Sequence, residues 1–171
     1  MKCILTILLL TLNLYVNSNT NSIKANRLVN TSFNREVLRQ TEYMKEYNKV
    51  IEFLKINEGF KANIYDDKGY ECVGYGQRLK FYKGTIVTPL TESKATEILE
   101  ISFNDHLKMV KRVYPRLKGN KVLSVAHQSY TIGIGVIQRL HIIHNNQLDT
   151  TRLLSIGDKS CREFEINLFM R

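Results

Sequence analysis

The chain has 171 residues, which suits a single domain that is large enough to bury a hydrophobic core. Lysine and arginine number 25 against 16 acidic residues, so the formal net charge is +9. This excess favours an anionic partner, such as a cell-wall polymer or anionic lipid, unless the charge serves solubility alone. We expect no nucleic-acid partner, because the sequence has no zinc-finger, helix-turn-helix or RNA-binding signature.

The first 18 residues have the pattern of a signal peptide. Met1 and Lys2 precede an apolar run, Cys3–Val16, and Val16 and Ser18 are acceptable residues before a cleavage site. The run is shorter than the roughly 20 residues that cross a bilayer as a stable helix. We therefore predict a secreted protein. A membrane would be a partner only if this segment stayed uncleaved.

Three segments follow from this pattern. Residues 1–18 form the signal peptide, and residues 19–45 form a polar leader with a helical extension. Residues 46–171 form the globular domain. Helical spacing continues from Glu36 into the next segment, so either one long helix or two helices with a break precede the middle of the chain.

An amphipathic helix is predicted to end at Glu58. Side chains recur at helical spacing at Val50, Ile51, Leu54 and Asn57. Gly59 is a typical helix stop, since glycine accepts the left-handed conformation that ends many helices. Glu58 then lies at the negative end of the helix dipole, beside Phe60. Both surroundings are expected to raise its pKa, which suits a general acid.

A β-hairpin is predicted next, with strands over Ala62–Tyr65 and Tyr70–Tyr75. The intervening Asp66-Asp67-Lys68-Gly69 has the composition of a tight turn, where Asp67 would be solvated and ionised. Two carboxyls in opposed environments suggest an acid and a base, as glycosidic hydrolysis requires. The alternative is that Glu58 merely ends a helix and that the aspartates only shape the turn.

The rest of the chain is predicted to be mainly helical. Arg78–Val87 is aromatic and β-branched enough for a third strand. Thr91 is a suitable N-cap for a helix through Val113, and Asn120 could cap the next one. The apolar face of the first of these helices comprises Ala95, Ile98, Leu99, Phe103, Leu107 and Val110. The predicted fold class is α+β.

The central motif resembles the catalytic motif of phage-type lysozymes, the muramidases of glycoside hydrolase family 24. Glu58 is followed by glycine and separated from Asp67 by eight residues, and Gly74-Tyr75-Gly76 matches the family's Gly-x-Gly. Three further segments are similar to the family in the same order. They are Leu90–Ala95, Ser129–Gly135 and Arg162–Phe169. The resemblance covers about residues 46–171.

This resemblance implies a lysozyme-like fold, with a small β-hairpin lobe, a larger helical lobe and a cleft between them. It implies a secreted, monomeric lysozyme that hydrolyses the β-1,4 bond between N-acetylmuramic acid and N-acetylglucosamine in bacterial peptidoglycan and so causes bacteriolysis. Glu58 would protonate the leaving oxygen, and Asp67 would stabilise positive charge and help activate water. Cys72 would stand in for a catalytic threonine. Gln77 and Thr131 would bind substrate, and no cofactor or metal is implied.

The position of the second carboxylate leaves an alternative. Cys72 occupies the family's threonine position, but the interval from Asp67 to Cys72 is one residue short. Asp66 would restore that interval and break the spacing from Glu58. We therefore prefer Asp67 and keep Asp66 in reserve.

Other departures bear on activity. Gln77 replaces the family's histidine, Thr131 replaces an amide residue of the cleft, and Cys161 falls where the family has an arginine near the catalytic glutamate. These substitutions, with Cys72, predict reduced activity. The alternative function is a catalytically weakened peptidoglycan-binding homologue.

Two further groups of residues were candidates for cross-linking or metal binding. Cys72 and Cys161 remain after signal cleavage, and either a disulfide or two free thiols is conceivable; we expect free thiols. His141 and His144 are three residues apart, but no Cys, Asp or Glu at ligand spacing completes a tetrahedral site. We expect no metal.

Overall fold

The computed structural model describes residues 34–82 and 86–171. The protein is α+β: a three-stranded antiparallel sheet and a two-stranded antiparallel sheet accompany a larger set of helices. The predicted signal peptide and nearly all of the polar leader lie outside the described residues. No helix in the described part of the chain is long and apolar enough to cross a membrane.

The described chain divides after Glu42. Residues 34–42 are helical and belong to one unit, and Tyr43–Arg171 form the other. Every feature of the candidate site described below lies in the second unit.

The first helix of the described residues, α1, covers residues 34–58 without interruption. Of the two expected arrangements, one long helix or two helices with a break, the described chain has the long helix. Tyr47, Val50, Ile51 and Leu54 are buried along one face. The helix ends at Gly59, whose φ is +68° and whose N–H donates to Lys55 O at 3.1 Å. This left-handed glycine confirms the predicted helix stop.

The predicted hairpin is confirmed. Strand β1 (Lys61–Asp67) pairs antiparallel with β2 (Tyr70–Gly74). The two turn residues, Lys68 and Gly69, have φ values of +54° and +83°, the pattern of a type I′ turn. The tight turn therefore holds neither aspartate. Asp66 and Asp67 are the last two residues of β1, and Asp66 Oδ1 accepts a hydrogen bond from the Gly69 N–H at 3.1 Å.

The predicted third strand over Arg78–Val87 is wrong in extent. Strand β3 comprises Gln77–Arg78 alone, and a 3₁₀ turn over Leu79–Phe81 follows it. The Tyr82 N–H closes that turn by donating to Leu79 O at 2.8 Å. Because the backbone makes these local bonds, it leaves the sheet after two paired residues.

Helix α2 (Glu92–Val113) confirms its prediction. Thr91 is the N-cap, and its side chain accepts a hydrogen bond from the Lys94 N–H at 3.3 Å. The buried face consists of the six predicted residues, Ala95, Ile98, Leu99, Phe103, Leu107 and Val110.

Helix α3 (Asn120–Ile132) packs against both α2 and the last helix. Residues 122–129 are all buried. Asn120 does not cap it, which corrects the prediction. Gly119 holds the N-cap position with φ +56°, a conformation that glycine adopts more readily than asparagine.

Short elements complete the chain. They are α4 (Ile134–Arg139), β4 (Ile143–His144), β5 (Gln147–Leu148), α5 (Thr150–Leu154) and α6 (Lys159–Met170). Asp149 and Asp158 cap α5 and α6 through side-chain bonds to Arg152 N and Cys161 N. The β1–β3 sheet and the helices together surround the candidate site described below.

Replacing Gly59 with alanine tests the helix stop. A Cβ at this position meets nothing within 4 Å, so the cost is conformational alone. We expect Gly59→Ala to lower the free energy of unfolding by about 1–2 kcal/mol, measured by urea denaturation. Gly135 in α4 is the control, since it also has open space but no positive φ. Gly135→Ala should be neutral or stabilising, and equal losses in the two variants would contradict the assignment.

Candidate active site

A cavity of about 850 Å³ lies between the sheet, the end of α1, and helices α2, α3 and α6. Its volume is in the range of small-molecule and cofactor sites. Four of the five sequence-predicted site residues line it: Glu58, Asp67, Gln77 and Thr131. Cys72 is not among the lining residues.

Glu58 is the last residue of α1 and enters the cavity beside the sheet. A Cβ built on Gly76 would lie 3.4 Å from Glu58 Oε2 and 3.9 Å from Tyr65 Oη. The Glu58 carboxylate and the Tyr65 phenol therefore approach the same glycine. Gly76 lies just after strand β2 and has a φ of +80°. A Cβ at this point would make ordinary contact with the carboxylate, and the positive φ is what favours glycine here.

The pKa of Glu58 is raised. Burial is the larger cause, and the charge of Asp67 is the second. Solvent reaches the side chain through the cavity, while the surrounding protein removes part of its hydration, which penalises the ionised form. The predicted direction is confirmed, and the charge of Asp67 adds a cause that the helix-end position alone did not include.

The structure distinguishes the two aspartates by their position. Asp67 is exposed and lines the cavity, whereas Asp66 is not a lining residue and bonds to the turn at Gly69. Successive residues of a strand point to opposite faces, so only one of the pair can face Glu58. The preference for Asp67 over Asp66 thus has a structural reason.

Cys72 lies inside the sheet at 1 % exposure. It pairs with Tyr65 on one side and with Arg78 on the other. Burial raises the pKa of its thiol, and the charge of Asp67 raises it further, as expected for a thiol beside carboxylates. Cys72 is therefore a neutral, enclosed thiol near Asp67 that does not reach the cavity.

Gln77 is 4 % exposed, and its orientation is fixed. Its Oε1 accepts a hydrogen bond from the Tyr75 N–H at 2.8 Å, so its Nε2 must point the other way. That Nε2 has no hydrogen-bond partner among the described residues. The Gln77 amide nevertheless lies near the Tyr130 hydroxyl. It lowers the pKa of Tyr130, against a larger rise caused by burial.

Tyr130 is a site residue within the Ser129–Gly135 motif, and that motif predicted no role for it. It lines the cavity, and His106 contacts its ring edge-on at 5.4 Å. Burial, followed by the charge of Glu58, raises the pKa of Tyr130 far above its ordinary value. The phenol therefore keeps its proton and can act as a hydrogen-bond donor in the cavity.

Thr131 is held by Arg162, a second residue with no predicted role. Arg162 Nη2 donates to Thr131 Oγ1 at 2.7 Å. Arg162 is 1 % exposed, lines the cavity and pairs with Glu165 at 3.2 Å. The i, i+3 spacing of Arg162 and Glu165 on a helix was the available signal for this pair.

Behind Arg162 lies a buried polar cluster that joins α3 to α6. His127 Nδ1 and Glu165 Oε1 are 2.7 Å apart, and both side chains are fully buried. Ser124 Oγ donates to Glu165 O at 2.7 Å. The cluster places opposite charges together, which offsets part of the cost of burying them.

Cys72 and Cys161, the two cysteines among the described residues, are free thiols. Cys161 lines the cavity, and its Sγ accepts a hydrogen bond from Asn57 Nδ2 at 3.4 Å. Cys72 stays inside the sheet. His141 and His144 are exposed and lie apart from the cavity lining. Within residues 34–82 and 86–171, no group of three or more His, Cys, Asp or Glu is arranged to hold a metal ion.

Comparison with known proteins identifies no family. No protein-family model matches the chain, and no curated protein is significantly similar to it.

The influence of Asp67 on Glu58 can be tested without an activity assay. Asp67→Asn removes a negative charge that raises the pKa of Glu58, so that pKa should fall. Carbon-13 NMR titration of the Glu58 carboxyl measures it. Asp66→Asn is the matched control, because it changes the same charge one residue away and keeps an oxygen for the Gly69 N–H. Equal shifts in the two variants would show that Asp67 has no special relation to Glu58.

Proposed function

We propose that this protein is a secreted muramidase that hydrolyses the β-1,4 bond between N-acetylmuramic acid and N-acetylglucosamine in peptidoglycan. The main support is that Glu58 and Asp67, from different elements, line one open cavity, and that burial and Asp67 raise the pKa of Glu58. We further propose that the fold is lysozyme-like, with the hairpin lobe and the helical lobe as the two walls of the cleft.

Glu58 is the general acid in this proposal. Hydrolysis of a glycosidic bond needs a proton on the leaving oxygen, and a carboxyl with a raised pKa holds that proton closer to neutral pH. Its position against Gly76 leaves the carboxyl open to the cavity. Activity should accordingly decline as the pH rises through the raised pKa of Glu58.

Asp67 is the partner carboxylate. It is exposed at the end of β1 and lines the same cavity as Glu58. A carboxylate in this position can stabilise positive charge on the sugar ring and help orient a water molecule. Tyr130 adds a neutral donor, and Gln77 and Thr131 add polar groups for substrate binding.

The charge of the chain suits this substrate. The net charge of +9, which becomes 9 − 1 = +8 when Lys2 leaves with the signal peptide, would draw the protein towards anionic cell-wall polymers. Secretion, which rests on the signal-peptide pattern of residues 1–18, would bring it to them. Neither a metal nor a cofactor has a step in this mechanism.

One observation favours the second candidate, a wall-binding protein with weakened catalysis. The residue in the family's threonine position is Cys72, which is buried at 1 % exposure and supplies no hydroxyl to the cavity. A thiol is also a weaker donor and acceptor than a hydroxyl. Such a protein would keep the cleft and bind wall fragments while turning over slowly.

Substitution of the acid tests the proposed mechanism. We expect Glu58→Gln to reduce the release of reducing ends from purified peptidoglycan by roughly 10²–10⁴-fold. Stability should not fall at neutral pH. A carboxyl whose pKa is raised by folding stabilises the protein below its unfolded pKa, and this stabilisation is lost as the pH rises through the folded pKa. Glutamine does not ionise, so the variant has no such loss at neutral pH.

Glu52→Gln is the control for this experiment. Glu52 is an exposed acid on the same helix, paired with Lys55 at 3.2 Å, and it does not line the cavity. This variant should retain wild-type hydrolysis. Comparable activity in Glu58→Gln and the wild type would rule out Glu58 as the acid.

Cys72→Thr distinguishes the two candidates. If turnover is limited by the absence of a hydroxyl beside Asp67, Cys72→Thr should hydrolyse peptidoglycan faster than the wild type, although residue 72 does not line the cavity. Cys72→Val is the matched control, because valine has the shape of threonine without its hydroxyl. A gain shared by both variants would be a packing effect. An active wild type with an inactive Cys72→Thr would show that the thiol has its own chemical role.

A further inference from the structure

The connection between helices α2 and α3 carries a cluster of exposed cations. The sequence has no Asp or Glu between Asp105 and Asp149, so this cluster has no acid within its own segment. Its members come from the last turn of α2, from the connection itself and from the first turn of α3. They are Lys111, Arg112, Arg116, Lys118 and Lys121, and we call them the cationic turn.

These cations differ from several other lysines of α1 and α2, which pair with an acid three residues away. Those pairs are Lys49–Glu46, Lys55–Glu52, Lys94–Glu97 and Lys108–Asp105. None of the residues of the cationic turn forms an ion pair with another residue in the ranges 34–82 and 86–171. Their charges are therefore not neutralised by neighbouring carboxylates.

A buried side chain and two backbone bonds hold the connection in place. Leu117 is 4 % exposed and lies between Arg116 and Lys118, which are both at the surface. The Leu117 N–H donates to Tyr114 O at 3.1 Å, and the Tyr114 N–H donates to Val110 O at 2.7 Å. The two central cations are thus displayed from a backbone that is anchored to the core.

Helix stability accounts for only part of this charge. Lys111 and Arg112 favour the negative C-terminal end of α2. Lys118 and Lys121 lie at the opposite kind of helix end, the positive N-terminus of α3, whose first turn has no acid and whose N-cap is Gly119. The macrodipole and mutual repulsion both disfavour cations there. An external anion would relieve this repulsion.

The side chains around the cationic turn narrow the class of partner. Leu117 is buried, Val113 and Tyr114 are half-buried, and no large apolar side chain between residues 111 and 121 is exposed. A bilayer-binding surface would offer apolar side chains to the lipid. A site for single-stranded nucleic acid would offer aromatic rings to the bases. The cationic turn offers charge alone, which fits a flexible anionic polymer without bases or acyl chains.

The cationic turn lies away from the cavity. Helix α3 lines the cavity with residues 129–132, near its C-terminal end, whereas Lys121 is in its first turn. The helix between Lys121 and Thr131 advances by 131 − 121 = 10 residues, or roughly 15 Å. A ligand on the cationic turn and a ligand in the cavity would therefore occupy different places.

We propose that the cationic turn is a docking surface for a linear poly(glycerol phosphate) of the bacterial wall. Each repeat of such a polymer carries a phosphodiester, an anion that guanidinium and ammonium groups bind well. This surface goes beyond the proposed cleavage reaction, although the choice of a wall polymer rests on that proposed function. Docking holds the protein on the wall while the cavity stays open to peptidoglycan.

The test measures binding of fluorescently labelled poly(glycerol phosphate) by anisotropy at low salt. Arg116→Gln with Lys118→Gln removes two exposed cations of the turn. The matched control is Arg139→Gln with Lys94→Gln, which removes the same charge from α4 and from the first turn of α2. The first double variant should lose affinity by roughly ten- to thirtyfold. The control should lose roughly threefold at most, because screening weakens distant charges.

Equal losses in the two double variants would show a response to net charge alone and would overturn the proposal. Wild-type binding that does not weaken with added salt would also contradict it, since phosphate contacts are screened. Vesicles of phosphatidylglycerol and single-stranded oligothymidylate are compared at equal phosphate concentration. Tighter binding of either probe by the wild type would reject the wall polymer as the partner. These wild-type measurements decide the matter even if a variant fails to fold.

Release of reducing ends is measured separately, on peptidoglycan freed of the phosphate polymer. Arg116→Gln with Lys118→Gln should match the wild type in this assay, because the cationic turn lies away from the cavity. Binding of the polymer without hydrolysis would keep the docking surface and refute the muramidase proposal. Hydrolysis by a protein that does not bind the polymer would refute the docking surface alone.

Discussion

The candidate site depends on the end of one helix. Helix α1 stops at Gly59, and eight residues separate its last residue, Glu58, from Asp67 at the end of β1. The positive φ of Gly59 turns the chain from the helix into the hairpin. Both carboxylates then line one cavity although they belong to different elements. The cavity walls contributed by α2, α3 and α6 surround a pair whose spacing is set within one short segment.

The two carboxylates differ because their surroundings differ. Glu58 and Asp67 are both exposed residues, but partial burial at the end of α1 and the charge of Asp67 raise the pKa of Glu58, whereas Asp67 ends β1 beside the turn. An acid and a base can thus be made from two similar side chains. The buried cluster of His127, Arg162 and Glu165 has another task, which is to fix the far wall of the cavity through Thr131.

Local patterns predicted the elements that local forces determine. The glycine after Glu58 and the capping Thr91 identified where helices end and begin, and turn composition identified the hairpin. The extent of β3 was not predictable in this way, because whether Leu79–Phe81 stays in the sheet depends on competing backbone bonds. The cap at Gly119 was not predicted, because this residue caps the helix through its positive φ and has no side chain that would indicate a cap in the sequence.

The residues of the site were likewise predictable only where local sequence spacing determines their positions. Glu58 and Asp67 are linked by spacing, and the structure places them in one cavity. Arg162 had no predicted role because its bond to Thr131 spans 31 residues and exists only after α3 and α6 pack. Tyr130 lies within the Ser129–Gly135 motif, but the motif did not indicate its role. The pKa of its hydroxyl depends on burial, Glu58 and Gln77, which come together only in the folded protein.

The central claim is that the cavity cleaves the bond on the reducing side of N-acetylmuramic acid. Chemical identification of the new chain ends tests this directly. Purified peptidoglycan is incubated with the protein, reduced with borohydride, and hydrolysed for mass spectrometry of the reduced sugars. The account predicts reduced muramic acid in amounts that grow with time. Reduced glucosamine as the new end, or no new ends at all, would contradict it.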